Sequence, residues 1–149
     1  RLRLQPRSLR SRRAEEMRTV FADTFFFLAL LDSREPRHLR AAEVSRDPEF
    51  RLVTTEWVLA EFGDAYCHPK DRADFVSLYR SILNHPRFKI IPADTGLFQR
   101  GVDFFERRSD KDWSLTDCLS FVVMRDEGIR EALTGDKHFE QAGFAVLLK

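Results

Sequence analysis

Five short runs rich in Val, Ile, Phe, Leu and Thr are spaced along the chain, and helical patterns separate all but the last turn of it. The runs are Thr19-Val20-Phe21-Ala22, Phe50 to Thr55, Phe88 to Ile91, Ala132-Leu133-Thr134 and Phe144 to Leu148. Few hairpin signals join them, so successive strands must be linked by crossovers. That pattern predicts βαβ units, an α/β fold with a parallel sheet and helices on both of its faces. In such a sheet, ligands bind beyond the carboxyl ends of the strands, where the strand order reverses.

The intervening stretches carry their own boundary signals. Phe25 to Leu31 is apolar all round, which predicts a helix covered on most sides. Pro36 suits the first turn of a second helix reaching Ser45, and Asp47-Pro48 makes a turn. Thr55 is placed to cap a helix carrying Trp57, Val58, Glu61, Phe62 and Ala65. Asp71 to Leu83 is amphipathic, with Phe75, Leu78, Tyr79 and Ile82 on one side. Thr95 is expected to cap a long helix ending at Arg107. Ser114 and Asp117 form a capping box, with Asp in the usual Glu or Gln position, opening a helix to Asp126 that Gly128 closes. His138 to Gln141 makes one further helical turn, which Gly143 breaks.

At 149 residues with fourteen Phe, the chain is long enough to bury one substantial core. The formal net charge of +1 is unevenly spread: residues 1–16 hold six Arg and two Glu, leaving the remainder at −3. Residues 1–16 show no apolar periodicity and are expected to be a disordered basic tail, or translated sequence ahead of a start at Met17. The slightly acidic body argues against holding a polyanion by bulk electrostatics, so any nucleic-acid contact must be local or assisted by a metal. Cys67 and Cys118 form no C-x-x-C pair and no metal spacing with the four His. The longest apolar run falls short of the roughly 18 residues that a spanning helix needs. A reduced, cytoplasmic protein is the expectation.

Four acids stand at comparable element ends. Asp23 follows the first strand and Asp136 the fourth. Glu61 and Asp117 lie in the first or second turn of helices that lead to the same edge. Packed carboxylates repel one another and resist joint ionisation, and a divalent cation removes that penalty. An all-oxygen donor set points to a hard ion, Mg²⁺ or Mn²⁺. Such an ion supplies the positive charge a phosphodiester requires and orients a water for attack.

Those residues also carry a resemblance. Val20-Phe21-Ala22-Asp23-Thr24, Leu59-Ala60-Glu61-Phe62, Ser114 to Cys118 and Leu133-Thr134-Gly135-Asp136-Lys137-His138-Phe139, in that order, resemble the PIN-domain ribonucleases. The set is most similar to the toxins of bacterial VapBC-type toxin–antitoxin modules, and it covers nearly everything from Met17 to Lys149. The resemblance implies a three-layer α/β/α sandwich with a five-stranded parallel sheet. It also implies a Mg²⁺- or Mn²⁺-dependent RNA endonuclease, a homodimer and an antitoxin partner. Carried over by position, Asp23 and Asp117 become the principal metal ligands and Asp136 completes the metal site or a second one. Glu61 becomes the holder of a metal-bound water or the general base. Thr24, Ser114 and Thr134 match small hydroxyl positions beside the acids, and Asp112 stands beside them with its role open. Lys137 and His138 are weaker candidates for substrate contact.

Plainer roles compete at every position. Asp23 and Asp117 could be helix caps, Glu61 a solvated helix residue and Asp136 a turn residue. Lys137 could be a solvated turn residue, His138 a helix-start residue and His38 a surface one. Trp57, Phe62 and Trp113 read as packing residues. A receiver domain would need paired acids after the first strand, and a haloacid-dehalogenase phosphatase an Asp two residues after the nucleophile. Thr24 and Phe25 stand in those places. The remaining rivals are a PIN-like module that binds RNA or protein without cutting, and a housekeeping PIN nuclease without an antitoxin.

Overall fold

The computed structural model describes residues 17–149. The basic segment 1–16, expected to be a disordered tail, lies outside them. Five strands form one sheet: β1 (Arg18–Ala22), β2 (Phe50–Thr55), β3 (Phe88–Ile91), β4 (Glu131–Leu133) and β5 (Ala145–Val146). All pairings are parallel, and the order is β3-β2-β1-β4-β5. The chain therefore builds outward from β1 through β2 to β3, then returns to lay β4 on the other flank of β1. The reversal falls between β1 and β4, where Ala22 stands opposite Leu133. Being central, β1 buries Val20, Phe21 and Ala22 completely, as a near-continuous apolar strand of a covered parallel sheet should.

The helices among the described residues are α1 (Thr24–Leu31), α2 (His38–Arg46), α3 (Glu56–Ala65), α4 (Arg72–Leu83), α5 (Thr95–Arg107), α6 (Leu115–Glu127) and α7 (Lys137–Gln141). Most start and stop where their capping chemistry places them. Thr55 accepts a hydrogen bond from the Val58 amide at the head of α3. The Ser114–Asp117 capping box forms at the head of α6, and Gly128 ends that helix in the left-handed region at φ 67°.

Four details differ from the sequence reading. Pro36 lies ahead of α2, which begins at His38 after a hydrogen-bonded turn from Glu35. Asp94, one residue before the expected Thr95, caps α5 by accepting from the Leu97 amide. The last strand shrinks to Ala145–Val146, although Leu147 and Leu148 still donate to the carbonyls of Ala132 and Thr134; an edge strand with one neighbour has little to extend it. His38 is half-buried, with Nδ1 2.8 Å from the Ala29 carbonyl, and ties α2 to α1.

Aromatic packing sets the elements that carry the acids. Phe139 of α7 lies 6.3 Å from Phe21 of β1 and 4.9 Å from Phe121 of α6, between ring centres. Trp113 packs edge-on against Phe121 at 5.0 Å, and its Nε1 donates to Gln141 Oε1 at 3.0 Å. The head of α6, the whole of α7 and the end of β1 are thus fastened to one another by buried rings, each such pair contributing about 0.5–1.5 kcal/mol beyond its area. Gly135 completes the arrangement. A Cβ there would stand 2.6 Å from the Leu148 carbonyl oxygen and 2.9 Å from the Phe25 ring, so only glycine lets the loop after β4 lie this close to the sheet edge.

Candidate metal centre

Asp23 takes the N-cap position of α1 in backbone geometry, but its side chain makes no capping hydrogen bond. The carboxylate is buried and accepts instead from Thr134 Oγ1 at 2.9 Å. Thr134 lies just beyond β4, so this bond spans the point at which the strand order reverses. The same Thr134 oxygen accepts from the Asp136 amide at 3.1 Å, which turns the loop and presents the Asp136 side chain. Asp136 Oδ1 then caps α7 by accepting from the His138 amide at 2.9 Å.

From α6, Asp117 reaches the same place. Its Oδ2 accepts from the Ser114 amide at 3.2 Å, and His138 Nδ1 lies 3.0 Å from that oxygen. Nδ1 is also 3.5 Å from Asp136 Oδ1. An unbroken polar chain therefore runs from Asp23 through Thr134, Asp136 and His138 to Asp117 and Ser114. Oxygens of Asp117 and Asp136 and a ring nitrogen of His138 lie within 4.8 Å of one another.

The remaining candidates divide. Glu61 is exposed on α3, and among the described residues no hydrogen bond or ion pair engages it. It is nonetheless near enough for its charge to act on Asp23. Burial pushes the Asp23 carboxyl up to about 7, and the charges of Asp117 and Glu61 push it the same way. The hydrogen bonds from Thr134 and the Thr24 backbone oppose them. Thr24 is buried and its Oγ1 has no hydrogen-bond partner. Ser114 is exposed and spends its Oγ on the Asp117 amide at 3.0 Å. Asp112 and Lys137 are both exposed, and no hydrogen bond or ion pair joins either to the group. Cys118, beside Asp117, faces the core, where burial pushes its thiol up to about 11.

The plainer roles hold for two of the acids. Asp117 and Asp136 are helix caps, and their capping geometry is what brings them together. His138, a weaker candidate from the sequence, stands inside the acid group, at hydrogen-bonding distance from Asp117. The signal was its position two residues after the capping Asp136, which directs the start of α7 back toward the cap.

The donor set suits a divalent cation. Burial, with the charges of Asp117 and Glu61, pushes the Asp23 carboxyl up to about 7, and the buried Thr24 hydroxyl beside it is unpartnered. Each of these features is relieved by a cation or its bound water.

A parallel sheet in this order, with acids gathered where it reverses, defines a known class: residues 20–145 match the PIN domain, and the chain belongs to that family. Among its relatives is the 23S rRNA-specific endonuclease VapC20 of Mycobacterium tuberculosis, 27% identical over 128 residues that span 84% of this chain and 95% of VapC20. The crystal structure of that protein, described as a Sarcin-Ricin loop cleaving toxin, superposes with a TM-score of 0.73 at 26% identity, covering 85% of this chain and 96% of VapC20. VapBC2 from Rickettsia felis, solved bound to a DNA fragment from its promoter, shares the fold at a TM-score of 0.62 and 13% identity, covering 87% and 97% of the two chains.

Proposed function

We propose that this protein is a Mg²⁺- or Mn²⁺-dependent endoribonuclease, acting as the toxin of a VapBC-type toxin–antitoxin pair in the cytoplasm. The observation that carries the reading is the polar chain joining Asp23, Thr134, Asp136, His138 and Asp117 across the strand reversal. Structural roles alone account for caps at Asp117 and Asp136, but not for a buried carboxylate at Asp23 that caps nothing. The VapC20 relative makes structured ribosomal RNA the first substrate to assay.

In this reading Asp23, Asp117 and Asp136 hold the metal, and Thr134 fixes the orientation of the Asp23 carboxylate. A divalent ion held there supplies a water of lowered pKa and a counter-charge for the phosphodiester. Glu61, exposed at the rim, accepts a proton from the attacking water. Lys137, equally exposed, is positioned to meet a phosphate. No helix of the described residues is long and apolar enough to cross a membrane. The antitoxin is expected to mask the acid group. Homodimerisation is assigned to α5, whose Phe98, Val102 and Phe105 form an exposed apolar stripe at helical spacing.

The decisive experiment incubates purified protein with ribosomal RNA and Mn²⁺. Cleavage that disappears in Asp23→Asn, with the variant still folded by circular dichroism, is the expected result. If the parent cuts no faster than Asp23→Asn, the protein binds RNA or a partner without cutting it.

A further inference from the structure

Beside the carboxylate oxygens suggested by the sequence, the fold places a ring nitrogen. Nδ1 of His138 is 3.0 Å from Asp117 Oδ2 and 3.5 Å from Asp136 Oδ1. Ligands in neighbouring positions around an octahedral ion at about 2.1 Å are about 3.0 Å apart, so the two spacings from Nδ1 suit adjacent ligands, and the three donor atoms lie within 4.8 Å of one another. The imidazole is also held in place. Its own amide is bonded to Asp136 Oδ1, and the next residue, Phe139, is fully buried against Phe21 and Phe121. Only 22% of the His138 side chain is exposed, and its Nδ1 faces the Asp117 and Asp136 carboxylates.

Resting on the nuclease reading above, we propose that His138 is itself a metal ligand through Nδ1, beside Asp117 and Asp136. Two carboxylates and one imidazole make a mixed oxygen–nitrogen site. Imidazole suits transition-metal dications, whereas Mg²⁺ favours oxygen and keeps its waters. The site therefore prefers Mn²⁺, and more strongly Co²⁺ or Zn²⁺, over Mg²⁺, and His138 is the source of that preference. As a ligand through Nδ1, the neutral ring would carry its proton on Nε2.

The test titrates Mn²⁺ and Mg²⁺ into the full-length protein by calorimetry and records pulsed electron paramagnetic resonance of the Mn²⁺ form. Expected is a directly coordinated nitrogen coupling in the wild type, whose signature changes when the protein is grown with ¹⁵N-labelled histidine. This measurement needs no variant. His138→Asn, which keeps a hydrogen-bond donor near the Nδ1 position, should lose the coupling. It should also weaken Mn²⁺ at least as much as the ~10–100-fold cost of removing an outer-shell partner, with a smaller effect on Mg²⁺. Mn²⁺ binding without nitrogen coupling would overturn the proposal and leave the nuclease reading intact. Failure of the wild type to bind either ion would remove both.

Discussion

Asp23 is a carboxyl group whose proton is held more tightly in the fold than in the unfolded chain, and its pH behaviour follows from that. Burial first, then the charges of Asp117 and Glu61, raise its pKa to about 7. Below about pH 4 both the folded and the unfolded chain carry this proton. Between pH 4 and 7 only the folded chain does, so raising the pH removes stability, at up to about 1.4 kcal/mol per pH unit. Thermal melts of metal-free protein should therefore fall across that window and flatten above it, and Asp23→Asn should abolish the slope. A bound cation must expel the same proton, so metal affinity should be weaker at pH 6 than at pH 8. Thr134→Val tests the neighbouring bond. It removes both the donor to Asp23 and the acceptor for the Asp136 amide, and a loss of about 1–3 kcal/mol is expected by denaturant titration, with weakened metal binding.

At the scale of elements, α5 and α6 make separable predictions. Ser114→Ala removes the acceptor for the Asp117 amide and should cost about 1 kcal/mol of stability. Because Asp117 loses one side of its box, cleavage should fall as well. On α5, Val102→Glu or Phe105→Glu alters a side chain that is 38% or 46% exposed, so the fold should survive. If the homodimer forms through this stripe, light scattering should report a monomer for either variant and a dimer for the parent. A parent that is monomeric at micromolar concentration would remove the dimer assignment.

For the whole molecule, the sequence was most readable where one physical signal dominated. The alternation of apolar runs and helical patterns led to the parallel sheet, and the capping residues Thr55, Ser114 and Gly128 marked boundaries that the structure keeps. Signals that compete locally were harder. Asp94 and Thr95 are both good caps, and the choice depended on where β3 released the chain. A cap remained a competing role for Asp23 because the sequence cannot show that Thr134, 111 residues away, donates to its carboxylate. The place of His138 was hidden for a similar reason: its partner Asp117 lies 21 residues earlier, on another helix. Contacts distant along the chain are what a single sequence conceals, and two of them, Thr134 to Asp23 and His138 to Asp117, join the locally capped pieces of the candidate centre. Its summed charge should be visible in bulk: a divalent ion should raise the melting temperature of the wild type by mass action on the folded form, and Asp23→Asn should blunt that rise.

The fit of Leu148 against Gly135 has a practical side. The Leu148 amide donates to the Thr134 carbonyl, and its own carbonyl fills the room a side chain on Gly135 would need. Thr134 and Gly135 are the residues that hand Asp136 to its partners, so residues 147–149 act as a clip on the loop that carries Asp136. Trimming residues 147–149 would pry that clip open, and the shortened protein should melt lower and hold a divalent ion less tightly.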